Sequence, residues 1–174
     1  MTSITPPFTM LISGSSKCGK TVLTMRLIKY LKPKFRKIYW LNTERSAIPC
    51  ANIENFQILD EFPKNFDFVE NKSLIVLDDC MNNINKSVCD LFIKGSHHRE
   101  LSVILILQNI FHQDKFCREI SLNSDYIIIF KNPRDSSQIK YLGMQVLPDN
   151  SSALIKLYRH ETIKPFSYIV LLAH

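Results

Sequence analysis

No stretch of the 174 residues approaches the ~18 uninterrupted apolar residues that a membrane-spanning helix needs. The opening Met1-Thr2-Ser3-Ile4-Thr5-Pro6-Pro7 lacks the basic and apolar regions of a secretory signal. Five cysteines, Cys18, Cys50, Cys80, Cys89 and Cys117, are odd in number and scattered, with no C-x-x-C pair and no Cys/His ligand spacing. These absences argue against a membrane protein and against a disulfide framework, and lead us to expect reduced thiols in a soluble intracellular protein. Internal repeats, low-complexity tracts and linkers are lacking too. Residues 1–174 are therefore expected to form one domain, long enough to bury a core without covalent staples.

What is present is ordinary in bulk, with 45% hydrophobic and 22% charged residues. Lys and Arg total 22 against 16 acidic residues, a formal charge of +6 and a pI near 9.1. That balance suits a polyanionic partner such as nucleic acid, and equally a basic protein with none.

The sequence has only four glycines, and two of them frame Gly14-Ser15-Ser16-Lys17-Cys18-Gly19-Lys20-Thr21, which matches the phosphate-binding pattern G-x-x-x-x-G-K-[ST] at every fixed position. Gly14 and Gly19 let the backbone turn tightly so that its N–H groups meet phosphate oxygens at a helix N-terminus. Lys20 is expected to reach the β- and γ-phosphates of ATP, and the Thr21 hydroxyl to ligate Mg²⁺. Ser15, Ser16, Lys17 and Cys18 occupy the variable positions, with Cys18 read as a small filler. An apolar run, Phe8 to Ile12, enters the loop, and a helical pattern with Val22, Leu23, Met25, Leu27 and Ile28 apolar leaves it.

Further strands are expected at Lys37–Leu41, Ser73–Leu77, Ser102–Leu107 and Tyr126–Phe130, and short ones around Leu154–Tyr158 and Tyr168–Leu172. Helices are expected over Asn85–Lys94, stopping at Gly95, over Asp114–Ile120 and over Ser136–Leu147. The segment from Asn42 to Lys72 carries no clear period. Strands alternating with helices imply a mostly parallel sheet sandwiched by helices, an α/β fold with the nucleotide at the carboxyl ends of the strands.

The run Leu74 to Leu77 ends in Asp78-Asp79, a Walker B pattern. Asp78 is assigned to the Mg²⁺ shell, and Asp79 to orienting the attacking water or, alternatively, to capping a helix. Glu44 is the rival base and would favour a nucleoside or polynucleotide kinase. Gln108 follows the next buried strand and projects its amide toward the γ-phosphate if that strand lies between the P-loop and Walker B strands; otherwise it merely ends a strand. Adjacent His97 and His98 lack a third ligand at metal spacing, and with Lys94 and Arg99 read as a basic surface or a solvated loop.

Taken together, Gly14 to Thr21, Leu74 to Asp79, His97-His98-Arg99 before Gln108-Asn109, and Ile120 to Ser124 leading to Phe130-Lys131-Asn132-Pro133-Arg134-Asp135 resemble the FtsK–HerA-type genome-packaging ATPases. The similarity covers roughly Phe8 to Leu147 and is greatest to those of Maverick/Polinton elements and related adenovirus-like viruses. It implies a P-loop NTPase of the additional-strand class: an ATP-driven homo-oligomeric ring that moves double-stranded DNA into a capsid, meets a capsid or portal-vertex protein, and acts where virions assemble. Its tail after Leu157 departs from the family pattern. Because Lys20 is the sole cation at the fixed motif positions, an arginine from a neighbouring subunit is expected to complete the site, with Arg99 first, Arg118 second and Arg134 third.

Overall fold

The computed structural model describes residues 4–42, 54–110, 115–133 and 137–172, without the side chains of Ser96 and His97. Glu44, His97 as a side chain, Asp114 and Arg134 therefore lie outside the described residues, as does Cys50.

In chain order the elements are β1 (Thr9–Ser13), α1 (Lys20–Leu31), β2 (Ile38–Asn42), β3 (Phe56–Leu59), β4 (Leu74–Asp78), α2 (Lys86–Asp90) and α3 (Ser96–Arg99). They continue with β5 (Ser102–Leu107), α4 (Lys115–Leu122), β6 (Tyr126–Phe130), α5 (Ser137–Val146), α6 (Ser151–Glu161) and β7 (Tyr168–Leu172). The strands form one sheet in the order β3-β2-β4-β5-β1-β6-β7, parallel except for β7, which runs antiparallel to β6.

The continuous apolar runs of β1, β4 and β5 are buried at every residue, as expected of central parallel strands covered on both faces. Alternate residues feed two cores. On one face α1 sets Met25, Ile28 and Leu31 over Met10, Ile12, Val76, Ile104 and Ile106. On the other, α2, α4, α5 and α6 cover Leu11, Ile75, Leu77, Val103 and Leu105 with side chains such as Val88, Cys117, Leu142 and Leu154. Each such fully buried aliphatic side chain contributes roughly 1.5–3 kcal/mol relative to exposure.

Two expectations need correction, and one unassigned stretch takes form. Leu154 to Tyr158 is helical, because Leu154 and Tyr158 are the buried pair, one turn apart, while Leu157 is exposed. The helix begun at Lys86, capped by Asn85 Oδ1 on the Ser87 and Val88 N–H groups, does not stop at Gly95. It loosens into a π turn over Leu91–Gly95, where Gly95 keeps a right-handed φ of −63°, and runs on to Arg99 before Glu100 turns it at φ 53°. The unassigned stretch before Lys72 contains β3, an edge strand of four residues whose ends, Phe56 and Leu59, are half-buried and whose middle is exposed, too short to show a period.

Candidate functional site

The loop from Gly14 to Gly19 joins β1 to α1 at the carboxyl edge of the sheet. Gly19 caps α1 at φ 103°, a left-handed conformation that a side chain would strain. Gly14 is required for space, since a Cβ there would lie 2.6 Å from Phe130 Cβ and 2.8 Å from Cys18 Sγ. Neighbouring strands hold the loop in place. The Gly14 N–H donates to Leu107 O at the end of β5, and Ser15 Oγ donates to Lys131 O just past β6. Ser16 and Lys17 are exposed, and Lys17 turns the loop at φ 63°. Cys18 packs against the α1-side core, where burial raises its thiol pKa, consistent with a filler. No acidic residue sits in the first turn of α1, so its N–H groups face no competing carboxylate on that turn.

Lys20 Nζ lies across the loop, donating to Gly14 O at 2.6 Å and Ser15 O at 2.9 Å. Burial lowers its pKa, opposed by the charges of Cys18, Asp78 and Asp79. Asp78, at the buried end of β4, is pushed up to about 6 by desolvation first and Asp79 second, while Lys20 and a hydrogen bond from Thr21 pull it down. A buried carboxylate and a threonine hydroxyl in contact form an oxygen donor set suited to a hard divalent cation, and a cation there would relieve the charge that burial disfavours. These residues fit Mg²⁺.

The order β4-β5-β1 places the strand ending in Gln108 between the P-loop and Walker B strands, the condition attached to its role. Gln108 Nε2 donates to Asp79 at 3.1 Å and 3.4 Å. Asp79 has φ 55°, an uncommon backbone for a non-glycine residue. The turn after it has Cys80 at its N-cap and no side-chain cap bond, so Asp79 is no helix cap.

Arg99 makes its contacts within its own chain, away from the loop and the acidic pair. It precedes β5 at the opposite edge of the sheet, six strand residues at about 3.3 Å each from Gln108. Its guanidinium donates to the carbonyls of Phe66 at 2.9 Å, Asp67 at 3.3 Å and Val69. Those carbonyls engage both terminal nitrogens in pinning the 66–69 loop. The basic surface around it is mixed in charge: Lys94 pairs with Asp90 at 3.3 Å, and Asp67 and Asp90 line the same hollow as His98. Arg118, by contrast, is exposed in the first half of α4, the helix that follows the site end of β5.

Two residues that sequence reading missed brace backbone segments next to the site. Gln138 Oε1, buried on α5, accepts from the Ile110 N–H at 3.0 Å and fixes the segment after Gln108. Tyr158 Oη accepts from the Asn132 N–H at 2.7 Å and donates to Phe130 O at 3.2 Å, anchoring the strand end against which Gly14 packs. Both are buried polar groups on helices remote in sequence, and no local motif marks them.

No family model matches the chain, and neither does any curated protein. Among solved structures it is similar to the genome packaging NTPase B204 of Sulfolobus turreted icosahedral virus 2 in complex with AMPPCP, with TM-score 0.69 and 15% identity over 98% of this chain and 94% of that one. The DNA-packaging ATPase B204 of Sulfolobus turreted icosahedral virus gives TM-score 0.66 at 15% identity with the same coverage. The pCW3 conjugation coupling protein TcpA, with ATPγS, gives 0.56 at 15% identity over 84% of this chain and 54% of that one. The P-loop NTPase fold is thereby established, with a seven-stranded, mostly parallel sheet between helices.

Proposed function

We propose that this chain is an ATP-hydrolysing motor domain, spanning 1–174, that drives double-stranded DNA into a viral capsid as a ring of like subunits. The observation that carries the reading is the convergence of Lys20, Asp78, Asp79 and Gln108 at one sheet edge, in a fold shared with packaging NTPases. The Leu107-Gln108-Asn109 and Phe130 to Asp135 blocks support the FtsK–HerA-type reading beyond the shared Walker motifs, and a place near the Maverick/Polinton enzymes is the narrower form of this proposal.

In this reading the P-loop N–H groups cradle the phosphates, and Lys20 Nζ exchanges two loop carbonyls for β- and γ-phosphate oxygens. Thr21 and Asp78 would hold Mg²⁺, which when bound neutralises charge on those oxygens. Asp79 orients and polarises the attacking water, and Gln108 positions the Asp79 carboxylate through its amide. The +6 charge is compatible with a polyanionic partner. A capsid or portal-vertex protein is the remaining partner the reading requires.

The test is phosphate release from ATP with and without duplex DNA, using a labelled γ-phosphate. We expect release to water, stimulated by duplex and weakening steeply as salt rises. Transfer of label to a nucleoside or polynucleotide acceptor, or a rate indifferent to DNA, would overturn the motor reading.

A further inference from the structure

Beside the P-loop, α1 and β7 enclose a cavity of about 340 Å³ lined by Gly19, Val22, Arg26, Phe130, Phe166 and Tyr168 among others. That volume is in the range of small-molecule sites, roughly 300–1,000 Å³. Val22 and Arg26 stand one helical turn apart immediately after Thr21, so the cavity continues from the phosphate-binding loop along α1. Three aromatic rings form its other side. Phe130 and Tyr168 lie with centroids 5.0 Å apart, and Phe166 stands so near the loop that a Cβ on Gly19 would come within 3.3 Å of its ring.

Phe166 carries two unusual costs. Its backbone has φ 64°, and the residue is left 69% exposed. A bulky residue in left-handed backbone is strained, and such strain clusters at ligand clamps. The lining is also notable for its chemistry: among the described lining residues, Arg26 and the Tyr168 hydroxyl are the polar side-chain groups.

We propose that this cavity is the base subsite of the nucleotide, in which Phe166 and Tyr168 hold the base by stacking and Arg26 covers its face. The proposal rests on the P-loop reading above. With stacking faces in place of a row of donors and acceptors, the site takes a nucleoside triphosphate without reading the base edge, because every base presents a π face. Adenine and guanine are accepted alike.

Calorimetric titration of the full chain with ATP, GTP and inorganic tripolyphosphate tests this, using the parent, Phe166→Ala and Phe166→Trp. ATP and GTP should bind the parent within about tenfold of each other, and Phe166→Ala should weaken both by about fivefold or more. Phe166→Trp should restore them, and tripolyphosphate, which has no base, should report an intact fold and loop in every variant. A loss below fivefold in Phe166→Ala with tripolyphosphate bound, or a preference for ATP beyond tenfold, overturns the base subsite and leaves the P-loop reading standing. Failure of tripolyphosphate to bind the parent removes both.

Discussion

Gln108 Nε2 donates to both carboxylate oxygens of Asp79, at 3.1 Å and 3.4 Å, joining the end of β5 to the end of β4. The two residues are 29 positions apart in sequence, and their pairing leaves Asp79 half-buried beside the buried Asp78. If Asp79 polarises the attacking water, Asp79→Asn keeps the shape and removes the charge. Hydrolysis should then fall by about 10² or more while Mg·ATP binding stays within a few-fold. Gln108→Ala should lower turnover less, since Asp79 survives with a freer side chain. Single-turnover hydrolysis and equilibrium binding measured on each variant separate the cases, and equal loss of binding in Asp79→Asn would make Asp79 a metal ligand.

Lys20→Ala removes the cation that bridges Gly14 O and Ser15 O. The loop's own tethers to Leu107 and Lys131 remain, so the circular dichroism spectrum should be unchanged. Turnover should fall by about 10² or more, the scale of losing one charged stabiliser of the transferring group. Undiminished hydrolysis would remove the assignment of the site to this loop.

The central strands and the P-loop were legible because their information is local. Leu74 to Asp78 and Ser102 to Leu107 are uninterrupted apolar runs, and Gly14 to Thr21 is a contiguous motif. The partners of Arg99 were not legible, because they are carbonyls some 30 residues away, at Phe66, Asp67 and Val69, and nothing beside Arg99 in sequence records them. Gln138 and Tyr158 escaped notice for the same reason: each satisfies a backbone group on another element, and nothing next to it in sequence records that need. Leu154 to Tyr158 looked alternating over five residues, too short a window to separate period 2 from 3.6.

Asp78 has a consequence for stability that can be read without nucleotide. Its pKa is raised from 3.8 to about 6, chiefly by burial, so the folded state holds its proton more tightly than the unfolded chain. For an acid shifted upward, stability declines as pH rises from about 4 to about 6, and the penalty is fully present at neutral pH. Asp78→Asn removes the charge and its repulsion with Asp79. In metal-free buffer at pH 7 we expect its Tm to lie a few degrees above the parent, from ~1–2 kcal/mol in a chain of this size. The gain should vanish at pH 4, and the variant should lose turnover. A lower Tm at pH 7 would show that Asp78 is better compensated than its burial indicates.

The P-loop supplies one cation to the transferring group. Phosphoryl transfer gains on the order of 10³–10⁵ in rate from an arginine that neutralises the transition state. At the fixed motif positions the cation is Lys20, and Arg99 is engaged at the far edge of the sheet. Arg118 stands differently. Cys117, Ile120 and Ser121 turn α4 toward the core, which leaves Arg118 facing solvent on the helix that descends from the site edge. In a ring closed by a heterologous interface, one subunit's Arg118 would enter its neighbour's site. Activity per subunit should therefore rise with protein concentration as assembly proceeds. Arg118→Ala should turn over little alone while binding ATP normally, and Lys20→Ala should turn over little because its own loop lacks the cation on the transferring group. Mixing the two should restore turnover, since some interfaces then pair an intact loop with an intact arginine. Arg99→Ala should instead lower thermal stability by releasing the 66–69 loop, with the per-subunit rate of the folded fraction preserved. Full activity of a dilute monomer would exclude a shared site, and full activity of Arg118→Ala would pass the role to Arg134.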